Sequence, residues 1–328
     1  MASSRIAEIG QGDFDDIEAT SISLRIIGLR REALSKSKWT LGYTSLPKTA
    51  FVIRKVPLSL CFGHYLQNPS FDIRSIDVVA DRNTIRQLLS FINPGLERSQ
   101  RFTIHVEVVK NTAILCPWPT HTQFVISYNF GALKFLIRHE TDGYVAADTA
   151  GTSTSVNQST HDSISSKMKS VSLSRSDFSP HTTLTESGLS IRKDGEAVPL
   201  VSTLEIKTRS IKRPLTIREV APQLWISQTP KLVRAYHTEG KFQPPEVEDA
   251  AAAVKSWEDQ HQIDLRNLGA LIHRIIEVTK GCGGTATIER QAQSKKLTID
   301  KADRDRMLPM DLYSKWDEEK PELEPEKS

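Results

Sequence analysis

Apolar and polar positions along this chain repeat with two different periods. Ile73–Ala80 alternates as a strand, and Ile85, Leu88, Leu89 and Ile92 then recur at helical spacing. Asp81 is a good residue to start that helix, and Asn93-Pro94-Gly95 ends it. Phe102, Ile104, Val106 and Val108 alternate with polar residues, as in a half-buried strand. Lys110-Asn111-Thr112 reads as a turn, with Ala113–Trp118 as the return strand. Phe124–Tyr128 and Leu133–Tyr144 form a second pair around Asn129-Phe130-Gly131. Further on, Val201–Thr208 reads as a strand. Thr216–Thr229 holds a short helix entered near Pro222, since proline is tolerated in a first turn. Leu232–His237 is another strand, and Pro244–Ala253 begins a helical region. Leu265, Leu268, Ile272, Ile275 and Ile276 mark an amphipathic helix closed by Gly281, Gly283 and Gly284. Thr285–Glu289 and Lys296–Ile299 are a last strand pair. This order predicts a mixed central β-sheet flanked by helices, of α/β or α+β class.

The pattern is weaker elsewhere. Residues 1–20 carry Glu8, Asp13, Asp15, Asp16 and Glu18 and read as a flexible acidic arm. The chain to about residue 70 mixes short apolar runs with basic residues and prolines, and assigns no element. From Thr149 to Ser179 serine and threonine dominate and aliphatic residues are scarce, too few to offset the entropy of ordering. Residues 149–195 therefore read as a disordered insertion, with a plain long loop as the alternative. Residues 318–328 are a charged, proline-bearing tail. What remains, 21–317, is one domain carrying that insertion.

Composition narrows the function. Of 328 residues, 38% are hydrophobic and 25% charged, which is globular, and the net charge of +3 is too small to demand or exclude a polyanion partner. Cys61, Cys116 and Cys282 lie far apart, so neither a zinc site nor a disulfide framework is implied. Reduced thiols suit a nuclear or cytoplasmic protein. No leader and no bilayer-spanning run is visible, which predicts no membrane association. The glycines of Lys280–Gly284 lack the Gly-Lys-Ser/Thr of a phosphate loop. His121, His139, His237 and Trp225 read as structural residues. Lys207, Arg209, Lys212 and Arg213 form a basic run that suits either a phosphate backbone or a solvated loop.

Two acidic signatures carry chemistry. The first is Glu140-Thr141-Asp142 at the end of an apolar strand, and the second is Glu205-Ile206-Lys207 inside another. Side chains alternate along a strand, so Glu140 shares a face with Asp142, and Glu205 with Lys207. If the two strands are neighbours, three carboxylates and one ammonium converge. Carboxylate oxygens hold Mg²⁺, the metal polarises a phosphoryl oxygen and activates water, and a lysine steadies the charge that develops.

Four segments together resemble the RNA 5′-end decapping exonuclease family of the PD-(D/E)XK nuclease superfamily. These are Asp77-Val78-Val79-Ala80-Asp81-Arg82 with the following helix and hairpin; Glu140-Thr141-Asp142; Leu204-Glu205-Ile206-Lys207-Thr208; and Leu224-Trp225-Ile226-Ser227-Gln228 with Pro230 and Leu232–Tyr236. The resemblance runs from about Asp77 to Ile299. It implies a PD-(D/E)XK nuclease-like core and metal-dependent phosphodiester hydrolysis on RNA, by decapping or exonuclease action, with Mg²⁺ or Mn²⁺ as cofactor. It also implies Asp142 and Glu205 as metal ligands, Glu140 as a ligand or water-binding carboxylate, and Lys207 as the catalytic lysine. Gln228 becomes an active-site amide and Arg82 a contact to RNA phosphate. One departure stands out. The family carries a helix with a Gly-x-x-x-Glu motif between the hairpin and the Glu-x-Asp strand, and here only residues 119–123 separate Trp118 from Phe124. Another segment supplies that ligand, the chain is a shortened variant, or the protein is a catalytically degenerate scaffold that binds nucleic acid or a protein partner.

Overall fold

The computed structural model describes residues 5–14, 71–96, 100–116, 124–145 and 198–317, with the backbone of short strands at 24–25, 182–184 and 190–192. Its strands are β1 (Arg5–Gly10), β2 (Leu24–Arg25), β3 (Val78–Asp81), β4 (Phe102–Val109), β5 (Thr112–Cys116), β6 (Phe124–Phe130), β7 (Leu133–His139), β8 (Gly143–Tyr144), β9 (Thr182–Leu184) and β10 (Ser190–Arg192). These are followed by β11 (Thr203–Ser210), β12 (Lys231–Thr238), β13 (Lys241–Phe242), β14 (Val247–Asp249), β15 (Thr285–Arg290) and β16 (Lys296–Lys301). The helices are α1 (Arg82–Ile92), α2 (Ile217–Ser227), α3 (Ala251–Gln260), α4 (Gln262–Gly281) and α5 (Met310–Tyr313).

The class is the mixed α+β fold that the periodicity predicts, but the strands are divided between sheets. Nine strands run β1-β16-β15-β4-β5-β3-β7-β6-β2, with β3 parallel to both β5 and β7. A smaller sheet runs β13-β12-β11-β8, with β14 also on β12 and β11 parallel to β12. Parallel strands covered on both faces read as continuous apolar runs, as at Val78-Val79-Ala80 and Phe135-Leu136-Ile137. Val78, Ala80, Phe135 and Ile137 join the core under α1, α2 and α4, with Leu88, Trp225 and Ile272. Val79 and Leu136 face the other way, against Leu308, Leu312, Tyr313 and Trp316 of the C-terminal segment. That segment is latched by Trp316 Nε1 donating to Thr112 Oγ1 (2.9 Å) and by Tyr313 Oη donating to the buried Glu107 carboxylate (2.9 Å).

Several boundaries differ from the expectation. Residues 5–14 are not a flexible arm: β1 pairs antiparallel with β16, and Ile9 and Phe14 are buried. An edge strand needs only a backbone ladder and a few inward apolar residues, and the acidic residues that follow Gly10 hid this one. α2 starts at Thr216 through a capping box with Glu219, which leaves Pro222 inside the helix and not in its first turn. Residues 247–249 form a strand, and the helix expected there starts at Ala251. β7 ends at His139, so residues 140–142 are a crossing between the two sheets and not a strand. Residues 318–328, most of 21–70 and most of the 149–195 insertion lie outside the described residues. Among the described residues no helix is long and apolar enough to cross a membrane.

Candidate active site

The crossing from β7 to β8 carries the first acidic signature to the edge of the small sheet. β8 pairs with the start of β11, Gly143 opposite Leu204. One step before that ladder, Asp142 Oδ2 accepts a hydrogen bond from the Ile206 backbone N–H at 2.7 Å. The two signatures therefore meet through the alternation of β11, which points Glu205 and Lys207 to one face.

Glu205 is the centre of the cluster and is buried. Its Oε1 accepts from Lys207 Nζ at 2.7 Å and from Gln223 Nε2, and its Oε2 accepts from Arg82 Nη1 at 3.0 Å. Burial alone would raise its pKa, but Arg82 and Lys207 outweigh burial and hold the carboxyl below its ordinary value. Asp142 shifts the opposite way. Desolvation raises it, and the neighbouring Glu205 charge adds to the rise. Two cations thus face two carboxylates.

A buried layer supports this cluster. Asp81 and Arg138 stand opposite each other across β3 and β7, and Arg138 Nη2 donates to Asp81 Oδ2 at 2.7 Å in a two-pronged pair. Asp81 starts α1 without capping it by its side chain. Its burial raises its pKa, against the pull of Arg138. Arg82 and His139 are the next residues along, so this pair fixes the strand ends from which both project. His139 is buried and stacks on Phe124 at 5.8 Å, and its Nδ1 lies 3.2 Å from the Glu140 carbonyl oxygen. Burial, and then the Arg82 charge, push its pKa down to about 3, so the ring is neutral.

The residues expected at the site are not all brought together. Asp142, Glu205 and Lys207 converge. Glu140 is exposed on the crossing, outside the face that strand alternation assigned it, because the strand stops one residue earlier. Arg82 is turned inward to Glu205 and is not an outward phosphate contact in this structure. Gln228 also lies apart from the cluster. It caps α2 in the left-handed conformation (φ 51°), and its amide folds back onto the Trp225 carbonyl. The glutamine at the cluster is Gln223. Five residues at 100° per residue leave the two side chains about 140° apart around the helix, so only one can face β11. The signal for Gln223 was a lone amide within the apolar run Val220–Ile226.

Among the described residues no group of three His, Cys, Asp or Glu side chains converges to hold a metal. The two converging carboxylates are hard oxygen donors, and Mg²⁺ is commonly held by one or two carboxylates together with water and substrate phosphate oxygens. The donor chemistry of Asp142 and Glu205 is therefore of the kind that suits a divalent ion. Residues 119–123, the segment in which the resemblance implies a further ligand helix, lie outside the described residues.

Three crystal structures place the fold. Rai1 of S. pombe matches with a TM-score of 0.53 at 10% identity, over 90% of this chain and 99% of that one. The same protein in complex with 3′-FADP matches with a TM-score of 0.52, also at 10% identity and over 90% and 99% of the two chains. Rai1 of Scheffersomyces stipitis matches with 0.50 at 10% identity, over 80% and 81%. The fold is that of the Rai1-type decapping exonucleases, as the motifs implied. No curated protein matches the sequence. The chain belongs to the family described as Domain of unknown function (DUF8563), whose model matches residues 119–315.

Proposed function

We propose, with that family and the Rai1-type fold as the premise, that this protein hydrolyses a phosphodiester or cap linkage at RNA 5′ ends, using Mg²⁺ or Mn²⁺ held by Asp142 and Glu205. The observation that supports it most is the meeting of Asp142, Glu205 and Lys207 where the two acidic signatures join across β8 and β11. The cation, when bound, polarises a phosphoryl oxygen and lowers the pKa of water. The protein's own groups have separate tasks. Arg82 and Lys207 keep Glu205 ionised despite its burial, so its oxygens stay available as anionic donors. Gln223 fixes the Glu205 rotamer from α2. Lys207 is 29% exposed, so its ammonium can turn from Glu205 toward charge developing on a phosphoryl oxygen.

The test uses purified protein on capped, triphosphorylated and monophosphorylated RNA with Mg²⁺ or Mn²⁺. Wild type should cleave at least one, and Glu205→Ala and Lys207→Ala should abolish cleavage while circular dichroism stays native. A wild-type protein inert on all three overturns the reading.

A second reading is favoured by one specific feature. Three donors already occupy Glu205, and the described residues supply only two converging carboxylates. On that reading the nuclease fold serves as a nucleic-acid or protein-binding scaffold. Titration of Mn²⁺ separates the two, because a metal that binds only the native state raises the melting temperature by mass action. A rise supports the enzyme, and no shift at millimolar Mn²⁺ supports the scaffold.

A further inference from the structure

One short stretch beside the cluster carries basic residues with no acidic residue among them. Residues 207–218 contain Lys207, Arg209, Lys212, Arg213 and Arg218 and no acidic residue. The remaining 316 residues carry 38 basic and 40 acidic side chains, a net charge of −2. With five basic and no acidic side chains, the strip by itself carries a charge of +5.

The strip is built outward from the cluster. β11 runs from Glu205 through Lys207 and Arg209 to Ser210, and same-face positions two residues apart are separated by about 6.6 Å. A turn follows, with Arg213 N–H donating to the Ser210 carbonyl at 2.9 Å, and Lys212 and Arg213 are exposed. Arg218 is exposed in the first turn of α2. Arg209 has one distant counter-ion, Glu219 at 4.0 Å, and among the described residues Lys212, Arg213 and Arg218 pair with no carboxylate.

A solvated loop would leave these cations mobile, but the backbone between them is tied down. Leu215 is buried, its N–H donates to Tyr236 Oη at 3.1 Å, and its carbonyl accepts from Arg234 Nη1 at 3.0 Å. Both anchoring side chains come from β12, the parallel partner of β11. Exposed cations on a backbone held in place suit a chain of phosphates, because each contact releases condensed counterions and part of the ordering cost is met in advance.

We propose that the strip Arg209–Lys212–Arg213–Arg218 is the surface that takes the sugar-phosphate chain of single-stranded RNA as it leaves the Glu205 cluster. The proposal rests on reading that cluster as the site of the RNA 5′ end, and it adds the path of the following nucleotides. It implies a substrate of several nucleotides, gripped by its backbone and without base readout.

The test is fluorescence anisotropy with 5′-phosphorylated oligouridine of two and of twenty nucleotides, in EDTA, comparing wild type with Lys212→Gln/Arg213→Gln/Arg218→Gln. Four phosphate contacts on a single strand predict that wild type loses about 50-fold in affinity for the long RNA between 50 and 200 mM salt, and the variant, with one contact, about 3-fold. The dinucleotide should bind both proteins equally, and their melting temperatures should agree. Equal salt dependence of the two proteins, or equal losses for both RNA lengths, overturns the proposal. So does an acidic polypeptide competing as well as RNA of the same charge, which would assign the strip to a protein partner. RNA binding that depends on the strip, with no cleavage of the same RNA once Mg²⁺ or Mn²⁺ is supplied in place of EDTA, would instead refute only the hydrolytic reading of the cluster.

Discussion

Replacing Arg82 by methionine tests whether the cluster is held by direct charge pairing. The Glu205 side chain is 4% exposed and that of Arg82 14%, so solvent screens this pair little. Removing one partner of a buried pair costs about 3–5 kcal/mol, because the other charge is left behind. Lys207 still reaches Glu205 Oε1 at 2.7 Å, so the expected loss is at the low end, about 3 kcal/mol. Glu205→Met strands Arg82 but lets the half-exposed Lys207 turn to water, and should cost about 2 kcal/mol. The double variant removes both buried charges and puts apolar chains of similar length in their place. It should lose only about 2 kcal/mol, giving a coupling of about 3 kcal/mol. Urea denaturation of all four proteins at pH 7 in EDTA, with a common slope against denaturant, measures this cycle. If the two single losses add to within about 0.5 kcal/mol of the double, the charges act through solvent and the account of Glu205 given above is wrong.

Three shorter predictions follow from the same geometry. His139 is held near pKa 3 in the fold and titrates near 6.5 in the unfolded chain, so between these values only the unfolded state takes up the proton and stability falls as pH falls. That amounts to about 2 kcal/mol between pH 7 and pH 5, and His139→Phe should flatten this part of the stability–pH curve measured by urea denaturation. Gln223→Ala should lower RNA cleavage at unchanged circular dichroism, whereas Gln228→Gly, at φ 51°, should keep full cleavage and change stability by less than about 1 kcal/mol. Tyr313→Phe removes the hydroxyl donor to buried Glu107, leaving the Met307 N–H at 2.8 Å, and should lower the urea-derived stability by about 1–3 kcal/mol with cleavage intact.

How far the sequence could be read depended on whether a feature is set locally. Periodicity determined α1, α4, the β4–β5 hairpin and the class of the fold, because a burial pattern of 3.6 or 2 residues is written along the chain itself. The meeting of Glu205 and Lys207 was legible too, since alternation on β11 alone puts them on one face. What the sequence left open depended on partners distant in the chain. β1 is a strand only because β16, nearly 300 residues on, supplies its ladder. Asp81 reads as a helix cap until β7 places Arg138 opposite it, and its carboxylate then pairs with that buried cation. Arg82 reads as a phosphate contact until the small sheet brings Glu205 within 3.0 Å. Glu140 and Gln228 stand apart from Glu205, and Gln223 reaches it, through where a strand stops and how a helix is turned. Tertiary packing sets both, because the free energy that decides them comes from residues the local pattern never contains.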